Sequence, residues 1–186
     1  YLPLSHVAER MLVEMMGLYR AATISFAGSL ETFADDLRNV SPTVFFSVPR
    51  LWTKFQAGIQ AKIPQKKLSF YLKIPILGNL IKQKIAKGLG LSEARLIGSG
   101  AAPITPQLIR WYESIGIEIL EGYGQTENFA YTTVNPKSAV KIGSVGTCFP
   151  SVELRLTKRR EIQVRSSANM IGYYKDAEAT RNAFED

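Results

Sequence analysis

The sequence is poor in cysteine and has no long apolar run. Its single cysteine, Cys148, excludes an intramolecular disulfide and a cysteine-based metal cluster within these 186 residues. No signal peptide is visible, and no apolar run approaches the roughly 18 residues that a membrane-spanning helix requires. These absences predict a protein of a reducing, cytosolic compartment. The apolar content of 46% is ordinary for a globular domain with a proper core.

Two common signatures of phosphate and nucleic-acid binding are also missing. There is no G-x-x-x-x-G-K-[ST] segment, which excludes the phosphate loop of the common NTPases. The basic part of the chain contains one aromatic pair, Phe70 and Tyr71, and no recognisable nucleic-acid-binding motif. We therefore expect no nucleic-acid partner.

Acidic residues are absent from one long stretch of a chain whose formal net charge is +7. Apolar residues recur there at near-helical spacing, with lysines mostly between them. A basic amphipathic helix can lie on a membrane surface, but such a helix more often packs on its own domain and exposes a solvated basic face. Both interpretations stay open for this lysine-rich stretch, residues 62–87. Its lysines are Lys62, Lys66, Lys67, Lys73, Lys82, Lys84 and Lys87.

Short β-rich runs alternate with helical patterns over the first two-thirds of the chain. Such alternation predicts an α/β fold, with a layered, mostly parallel sheet and helices packed on it. Thr105 and Pro106 have the residue types of an N-cap and a first helical position, and Gly116 is expected to end that helix. The expected strands are 1–4, 23–28, 42–49, 94–97 and 117–120; the expected helices are 7–18 (ended by Gly17), 31–39, 50–62, 77–90 and 105–116.

The sequence pattern changes near residue 130. Beyond it, short β runs are separated by proline, glycine or charged turns, which is typical of an antiparallel sheet or a small barrel. We therefore divide the chain into an α/β subdomain, residues 1–130, and a small antiparallel, barrel-like β subdomain, residues 131–186.

Two glycine-containing segments follow neighbouring predicted strands. They are GSGAAP, residues 98–103, and EGYGQTEN, residues 121–128. The first departs from the dinucleotide-binding pattern G-x-G-x-x-G because Pro103 stands at the third glycine position. Ligands bind outside the carboxyl ends of parallel strands, so both segments are expected to face one crevice.

The second segment carries the chemistry expected of a nucleotide site. Tyr123 between two glycines offers a flat face for stacking, Thr126 offers a hydroxyl, and Glu127 offers a carboxylate suited to Mg²⁺. The alternative is a tight turn with a half-buried tyrosine.

Five segments resemble, in order, the core motifs of the AMP-forming adenylating enzymes. They are YLPLSH, GSGAAPI, ILEGYGQTE, KIGSVGTCFPSVELRL and EIQVRSSANMIGYYKDAEAT. That superfamily includes acyl-CoA synthetases, luciferases and peptide-synthetase adenylation domains. The segments SHVAER, VPRLW, GSGAAPI and ILEGYGQTE are most similar to its long-chain fatty acyl-CoA synthetases. The resemblance implies a ligase that converts a carboxylate and ATP to an acyl-adenylate and pyrophosphate, and then transfers the acyl group to the thiol of CoA.

The resemblance also implies roles for individual residues. The backbone at 100–103 would line one face of adenine, Tyr123 would stack on the other, and Glu121 would lie beside the adenine edge. Thr126 would hold the α-phosphate and Glu127 would bind Mg²⁺. His6 matches a position near the acyl carboxylate, or else it is a satisfied structural histidine at a strand–helix junction. The implied nucleotide-binding positions are Gly100, Ala101, Ala102, Pro103, Glu121, Gly122, Tyr123, Gly124, Gln125 and Thr126.

Other parts of the family pattern are not found in these residues. The phosphate loop, the ribose-binding aspartate and the C-terminal domain with its catalytic lysine would lie outside them, so we expect a piece of a longer protein that is inactive alone. The basic turn in 156–164, LTKRREIQV, departs from the family and puts that hairpin in doubt. Two alternatives stay open: a ligase for an aryl or medium-chain acid, and a non-enzymatic nucleotide-binding or membrane-surface module.

Overall fold

A parallel sheet lies at the centre of the computed structural model, which describes residues 2–137 and 139–184. The order in this five-stranded sheet is β1-β2-β3-β4-β5; the first three strands run parallel, and the last two are added antiparallel. A separate hairpin is formed by β6 and β7. The strands are β1 (Val44–Ser47), β2 (Leu96–Ser99), β3 (Leu120–Tyr123), β4 (Thr133–Val134), β5 (Thr147–Cys148), β6 (Glu153–Leu156) and β7 (Ile162–Arg165).

Helices connect the parallel strands, so the predicted α/β class with a parallel sheet is confirmed. The helical segments are α1 (Val7–Glu9), a π-helical segment (Arg10–Met15), α2 (Met16–Tyr19), α3 (Phe33–Val40), α4 (Pro49–Lys62), α5 (Gln65–Leu72), α6 (Pro75–Gly88), α7 (Pro106–Ser114), a 3₁₀ turn (Thr126–Asn128) and α8 (Ala177–Ala183). In the described part of the chain, none of these helices has the length and apolarity needed to cross a bilayer.

Local signals placed α7 correctly. The Thr105 side chain accepts a hydrogen bond from the backbone N–H of Leu108 at 3.3 Å, and Pro106 occupies the first turn. Gly116, just past the helix, has a φ of +84°, which glycine adopts without strain. The helix that connects β2 to β3 therefore begins and ends where the sequence predicted.

The core lies where α4 and α7 pack together. Trp52 and Tyr112 are fully buried, and their rings meet edge to face with centroids 5.1 Å apart. The Tyr112 hydroxyl donates a hydrogen bond to the carbonyl oxygen of Trp52 at 2.6 Å. Phe45 on β1 also meets the Trp52 ring edge to face, with centroids 5.5 Å apart. This aromatic cluster holds the helices against the sheet.

Several expected elements differ in the structure. The strand expected at 117–120 is Leu120–Tyr123, because its pairing begins at Leu120, opposite Gly98; Ile117 and Ile119 are buried in the core but precede the strand. The first helical segment continues through Gly17 to Tyr19.

Two expected strands near the start of the chain are not formed. Residues 2–4 of the expected strand 1–4 are not in a strand, and Tyr1 lies outside the described residues. Residues 23–28 form no strand, because none of the described strands pairs with them. The N–H of Gly28 instead donates a hydrogen bond to Oδ2 of Asp36 on α3, at 2.9 Å.

The sheet continues across residue 130, where the sequence pattern changes. β4 pairs with β3 and β5 pairs with β4, so strand direction changes within one sheet. The division at residue 130 stays a prediction. The hairpin of β6 and β7 forms despite its basic turn, where Arg160 has a φ of +64° and the N–H of Thr157 donates to the carbonyl oxygen of Glu161 at 3.0 Å.

We expect Trp52→Ala to lower the free energy of unfolding by about 3–5 kcal/mol, because it removes the centre of the aromatic cluster and leaves a cavity. The matched control is Trp111→Ala, since Trp111 is only partly buried and its indole N–H bonds Gln65 at the surface. Urea denaturation of both variants measures the difference. Equal losses would show that Trp52 is not the centre of the core.

Candidate functional site

The two glycine-containing segments lie side by side at one edge of the sheet, as predicted. Ser99 is paired with Glu121 in the parallel register, so the chain leaves both strands at the same level. A Cβ added at Gly100 would lie 3.1 Å from the carbonyl oxygen of Gly122 and 3.2 Å from the ring of Phe46. Glycine at position 100 therefore permits this close approach of the two backbones.

The residues expected in a single loop belong to two elements. Glu121, Gly122 and Tyr123 end β3, whereas Thr126 and Glu127 lie in the 3₁₀ turn. The N–H of Gln125 donates to the side-chain oxygen of Asn128 at 2.9 Å, which caps this turn.

Close backbone packing then folds this turn back toward β4. A Cβ at Gly124 would lie 2.5 Å from backbone atoms of Ala130, so only glycine fits at this position. Phe129 and Ala130 both have positive φ values, +56° and +54°. The sharp reversal that presents Thr126 and Glu127 thus depends on Gly124.

A row of polar side chains is buried under the two segments. Ser47, Ser99 and Glu121 occupy equivalent register positions on the three parallel strands, so they share one face of the sheet. Ser99 is fully buried, and within residues 2–137 and 139–184 its hydroxyl has no hydrogen-bond partner. Buried polar groups normally have partners, so a ligand or water is expected here.

Glu121 is the ionisable member of this row. It is 6% exposed, and its carboxylate accepts a hydrogen bond from the backbone N–H of Ile104 at 3.4 Å. Burial raises the pKa of Glu121, and the hydrogen bond from Ile104 acts in the opposite direction. The structure thus joins Glu121 to the segment that follows β2, as a shared site requires.

Glu127 has two contacts with a distant part of the chain. Its carboxylate oxygen Oε1 accepts a hydrogen bond from the Tyr173 hydroxyl at 2.9 Å. Its backbone carbonyl accepts one from the N–H of Met170 at 2.6 Å. The hydrogen bond to Glu127 raises the pKa of Tyr173.

The residues present fit a Mg²⁺ ion held mainly by a substrate. In the described part of the chain, no group of three or more His, Cys, Asp or Glu side chains could hold a metal ion. Glu127 supplies one partly exposed carboxylate, and Mg²⁺ commonly binds one or two carboxylates together with phosphate oxygens and water.

The surroundings of the other predicted residues do not indicate a particular ligand. Ala101, Ala102 and Pro103 are exposed beyond β2, and Tyr123 is half-buried at the end of β3. His6 is the N-cap of α1, and its Nδ1 accepts from the N–H of Ala8 at 3.2 Å. The stacking role of Tyr123 and the substrate role of His6 stay predictions.

Sequence reasoning missed residues that shape this site. Asn135 is 2% exposed and donates hydrogen bonds from its backbone and its side chain to the carbonyl oxygen of Glu121. Ser99, Met170 and Tyr173 were also missed as individual residues. Ser99 could have been found from its place between two glycines; no local signal indicated the partners of the other three.

The chain is similar to known proteins over almost its whole length. The family described as "AMP-binding enzyme" matches residues 1–174. Long chain acyl-CoA synthetase 3 of Arabidopsis thaliana is 30% identical over 223 residues, covering 100% of this chain and 33% of that protein. Acyl-CoA ligase 891, peroxisomal, of Penicillium roqueforti is also 30% identical, over 100% of this chain and 32% of that protein. The chain thus spans about a third of the length of these relatives.

Solved structures share the fold. The A domain of a carboxylic acid reductase from Segniliparus rugosus, solved with AMP and a co-purified carboxylic acid, superposes with a TM-score of 0.71 at 25% identity. That match covers 100% of this chain and 30% of the other. Apo MatB from Rhodopseudomonas palustris gives a TM-score of 0.72 at 24% identity, over 100% of this chain and 34% of the other.

We expect Glu121→Gln to change how stability depends on pH. The pKa of Glu121 is higher in the folded chain than its ordinary value of 4.5. The stability that Glu121 contributes to the folded chain is therefore fully present below pH 4.5 and is lost as pH rises through the raised pKa. Glutamine keeps an acceptor for the N–H of Ile104 and does not titrate. The variant should therefore gain stability relative to the wild type as pH rises above 4.5. Urea unfolding between about pH 4 and pH 7 tests this; a difference that is constant with pH would contradict it.

Proposed function

Because the chain belongs to the family of AMP-binding enzymes, we propose that it forms part of an ATP-dependent fatty acid–CoA ligase. In this reaction the fatty acid carboxylate attacks the α-phosphorus of ATP, and the bond to pyrophosphate breaks. The thiol of CoA then attacks the acyl-adenylate, which releases AMP and leaves a thioester. The relatives named as long-chain acyl-CoA synthetases support the fatty acid as substrate.

One observation carries this proposal. The glycine-containing segments after β2 and along β3 meet at one sheet edge, and the turn with Thr126 and Glu127 follows directly. Adenine would lie between the backbone of 100–103 and the ring of Tyr123. The α-phosphate would then be near Thr126, and Glu127 would hold Mg²⁺.

Electrostatics also favours an α-phosphate near Thr126 and Mg²⁺ at Glu127. The Thr126 hydroxyl can donate to a phosphate oxygen, and bound Mg²⁺ would supply positive charge against the charge that develops on the phosphates. Glu127 acts by orienting that ion, and such preorganised groups stabilise the transition state without reorganising. Glu121, buried beside the N–H of Ile104, has acceptor capacity left for the donor edge of adenine.

Two alternatives have distinct consequences. A ligase for an aryl or medium-chain acid would have a short acyl pocket where a fatty acid ligase has a long apolar one. A non-enzymatic module would bind nucleotide without transferring an acyl group.

The expectation that these 186 residues alone do not catalyse adenylation stays a prediction. It can be tested by measuring whether a carboxylic acid stimulates the exchange of pyrophosphate into ATP.

We expect Tyr123→Ala to weaken AMP binding about tenfold and Tyr123→Phe to leave it nearly unchanged, because a stacked ring works through its face. Binding of AMP to the chain can be measured by NMR titration up to millimolar concentration, with melting temperatures on the same samples. If phenylalanine is as damaging as alanine, the hydroxyl matters and stacking is wrong. If only the melting temperature of Tyr123→Ala falls, Tyr123 merely packs the turn.

A second proposal concerns the lysine-rich stretch 62–87. Three large apolar side chains there are strongly exposed: Phe70 at 62%, Ile76 at 79% and Leu80 at 57%. Exposed apolar groups among lysines fit the surface of an anionic membrane, where the rings and alkyl chains enter the interface and the ammonium groups face the lipid phosphates. Peripheral binding to anionic lipid is therefore proposed for α5 and α6.

We expect the chain to sediment with vesicles that contain phosphatidylserine and not with vesicles of phosphatidylcholine alone, and to dissociate at high salt. Ile76→Gln combined with Leu80→Gln should reduce binding several-fold. The matched control is Leu156→Gln, since Leu156 is 65% exposed on the separate hairpin. Equal binding by all variants would contradict a membrane role for this surface.

A further inference from the structure

Tyr173 is the one residue outside the two glycine-containing segments whose side chain is hydrogen-bonded to the Glu127 carboxylate in the described part of the chain. The two residues are 46 positions apart in the sequence. Residues 170–173 contact Glu127 twice, because Met170 binds its backbone carbonyl and Tyr173 binds its carboxylate. One short segment therefore fixes both the backbone and the side chain of a single residue.

The backbone of Tyr173 is hydrogen-bonded to α8. Its backbone N–H donates to the Thr180 hydroxyl at 2.9 Å, and that hydroxyl donates to the backbone carbonyl of Asp176 at 2.7 Å. Asp176 caps α8, where its side chain accepts from the N–H of Ala179 at 2.9 Å. The Tyr173 backbone is thus anchored to the first turn of α8.

Gly172 allows this anchor to form. It has a φ of +151°, and a Cβ there would lie 2.8 Å from the Thr180 side chain. A side chain at this position would strain the backbone and require the Thr180 side chain, which anchors Tyr173, to shift. The neighbouring Tyr174, by contrast, is 89% exposed, and the Lys175 ammonium group lies 5.3 Å from the centre of its ring.

We propose that Tyr173 is a positioning residue for the cation-binding carboxylate of Glu127. The hydroxyl engages Oε1, and within residues 2–137 and 139–184 no hydrogen bond to Oε2 is found. The bond fixes the rotation of the carboxylate and leaves Oε2 for a metal bound with the nucleotide. This inference rests on the proposed function, which gives Glu127 its metal.

The first part of the experiment needs no ligand. The ¹³Cδ resonance of Glu127, identified by its loss in Glu127→Gln, is compared in the wild type, Tyr173→Phe and the control Tyr174→Phe. We expect the resonance to move only in Tyr173→Phe, because this variant loses the hydrogen bond and keeps the ring. An unchanged resonance in Tyr173→Phe would overturn the proposal.

The second part measures the affinity for Mn²⁺–ATP, with Mn²⁺ in place of Mg²⁺, by NMR line broadening. Tyr173→Phe should weaken binding about two- to tenfold, the range expected for one hydrogen bond, and Tyr174→Phe should not. In a Glu127→Ala background, Tyr173→Phe should have no further effect, because the residue it positions is gone. A similar further loss in that background would show that Tyr173 acts by another route.

Melting temperatures distinguish positioning from simple stabilisation. If Tyr173→Phe lowers the melting temperature but leaves the Mn²⁺–ATP affinity of the folded chain unchanged, Tyr173 is only structural and the proposal is wrong. If the wild-type chain binds no Mn²⁺–ATP at millimolar concentration, the metal-binding role that the proposed function gives to Glu127 in this chain fails, and the metal part of this inference fails with it. The Glu127 resonance then decides separately whether Tyr173 holds the carboxylate.

Discussion

The close approach of two parallel strands at their carboxyl ends is the constraint on which the candidate site depends. At Gly100 a Cβ would lie 3.1 Å from the carbonyl oxygen of Gly122 and 3.2 Å from the Phe46 ring, which is a tight fit. Glycine therefore lets β2 and β3 stay in register up to the level where both turn away from the sheet. A larger residue would require the Gly122 backbone or the Phe46 ring to shift by a few tenths of an ångström.

This edge of the sheet is one of the places where the described part of the chain buries polar groups without satisfying all of them; the indole N–H of Trp52 in the core is another. The Ser99 hydroxyl has no partner in the described part of the chain, and Glu121 accepts one hydrogen bond within its buried surroundings. Such burial costs stability unless a ligand or water completes the hydrogen bonds. Asn135, which directly follows β4, donates two hydrogen bonds to the backbone carbonyl of Glu121 and so fixes the backbone beneath this carboxylate. Most of the core is aromatic and aliphatic, so the polar row is a local exception.

The position of the Glu127 carboxylate depends on a contact between distant segments of the chain. The 3₁₀ turn is capped locally by Asn128, but within the described residues the hydrogen bond to the Glu127 carboxylate comes from the 170–173 segment. That segment is anchored on α8 through Thr180. The position of the carboxylate consequently depends on the packing of α8, far away in the sequence, as well as on the glycines beside it.

The sequence by itself determined, to within about two residues, the first helical segment, α3, α4, α6, α7 and β1, together with the two glycine segments; it did not predict α5, and β2 lies two residues later than expected. Caps such as Thr105, proline at a first helical turn and apolar spacing act within about four residues, so they can be interpreted locally. Only the tertiary structure decided that 23–28 stays unpaired, that β3 extends to Tyr123, and that Asn135 and Tyr173 join the site. A β-rich run becomes a strand only when a partner lies alongside, and a hydrogen bond across 46 residues depends on the whole fold between its ends.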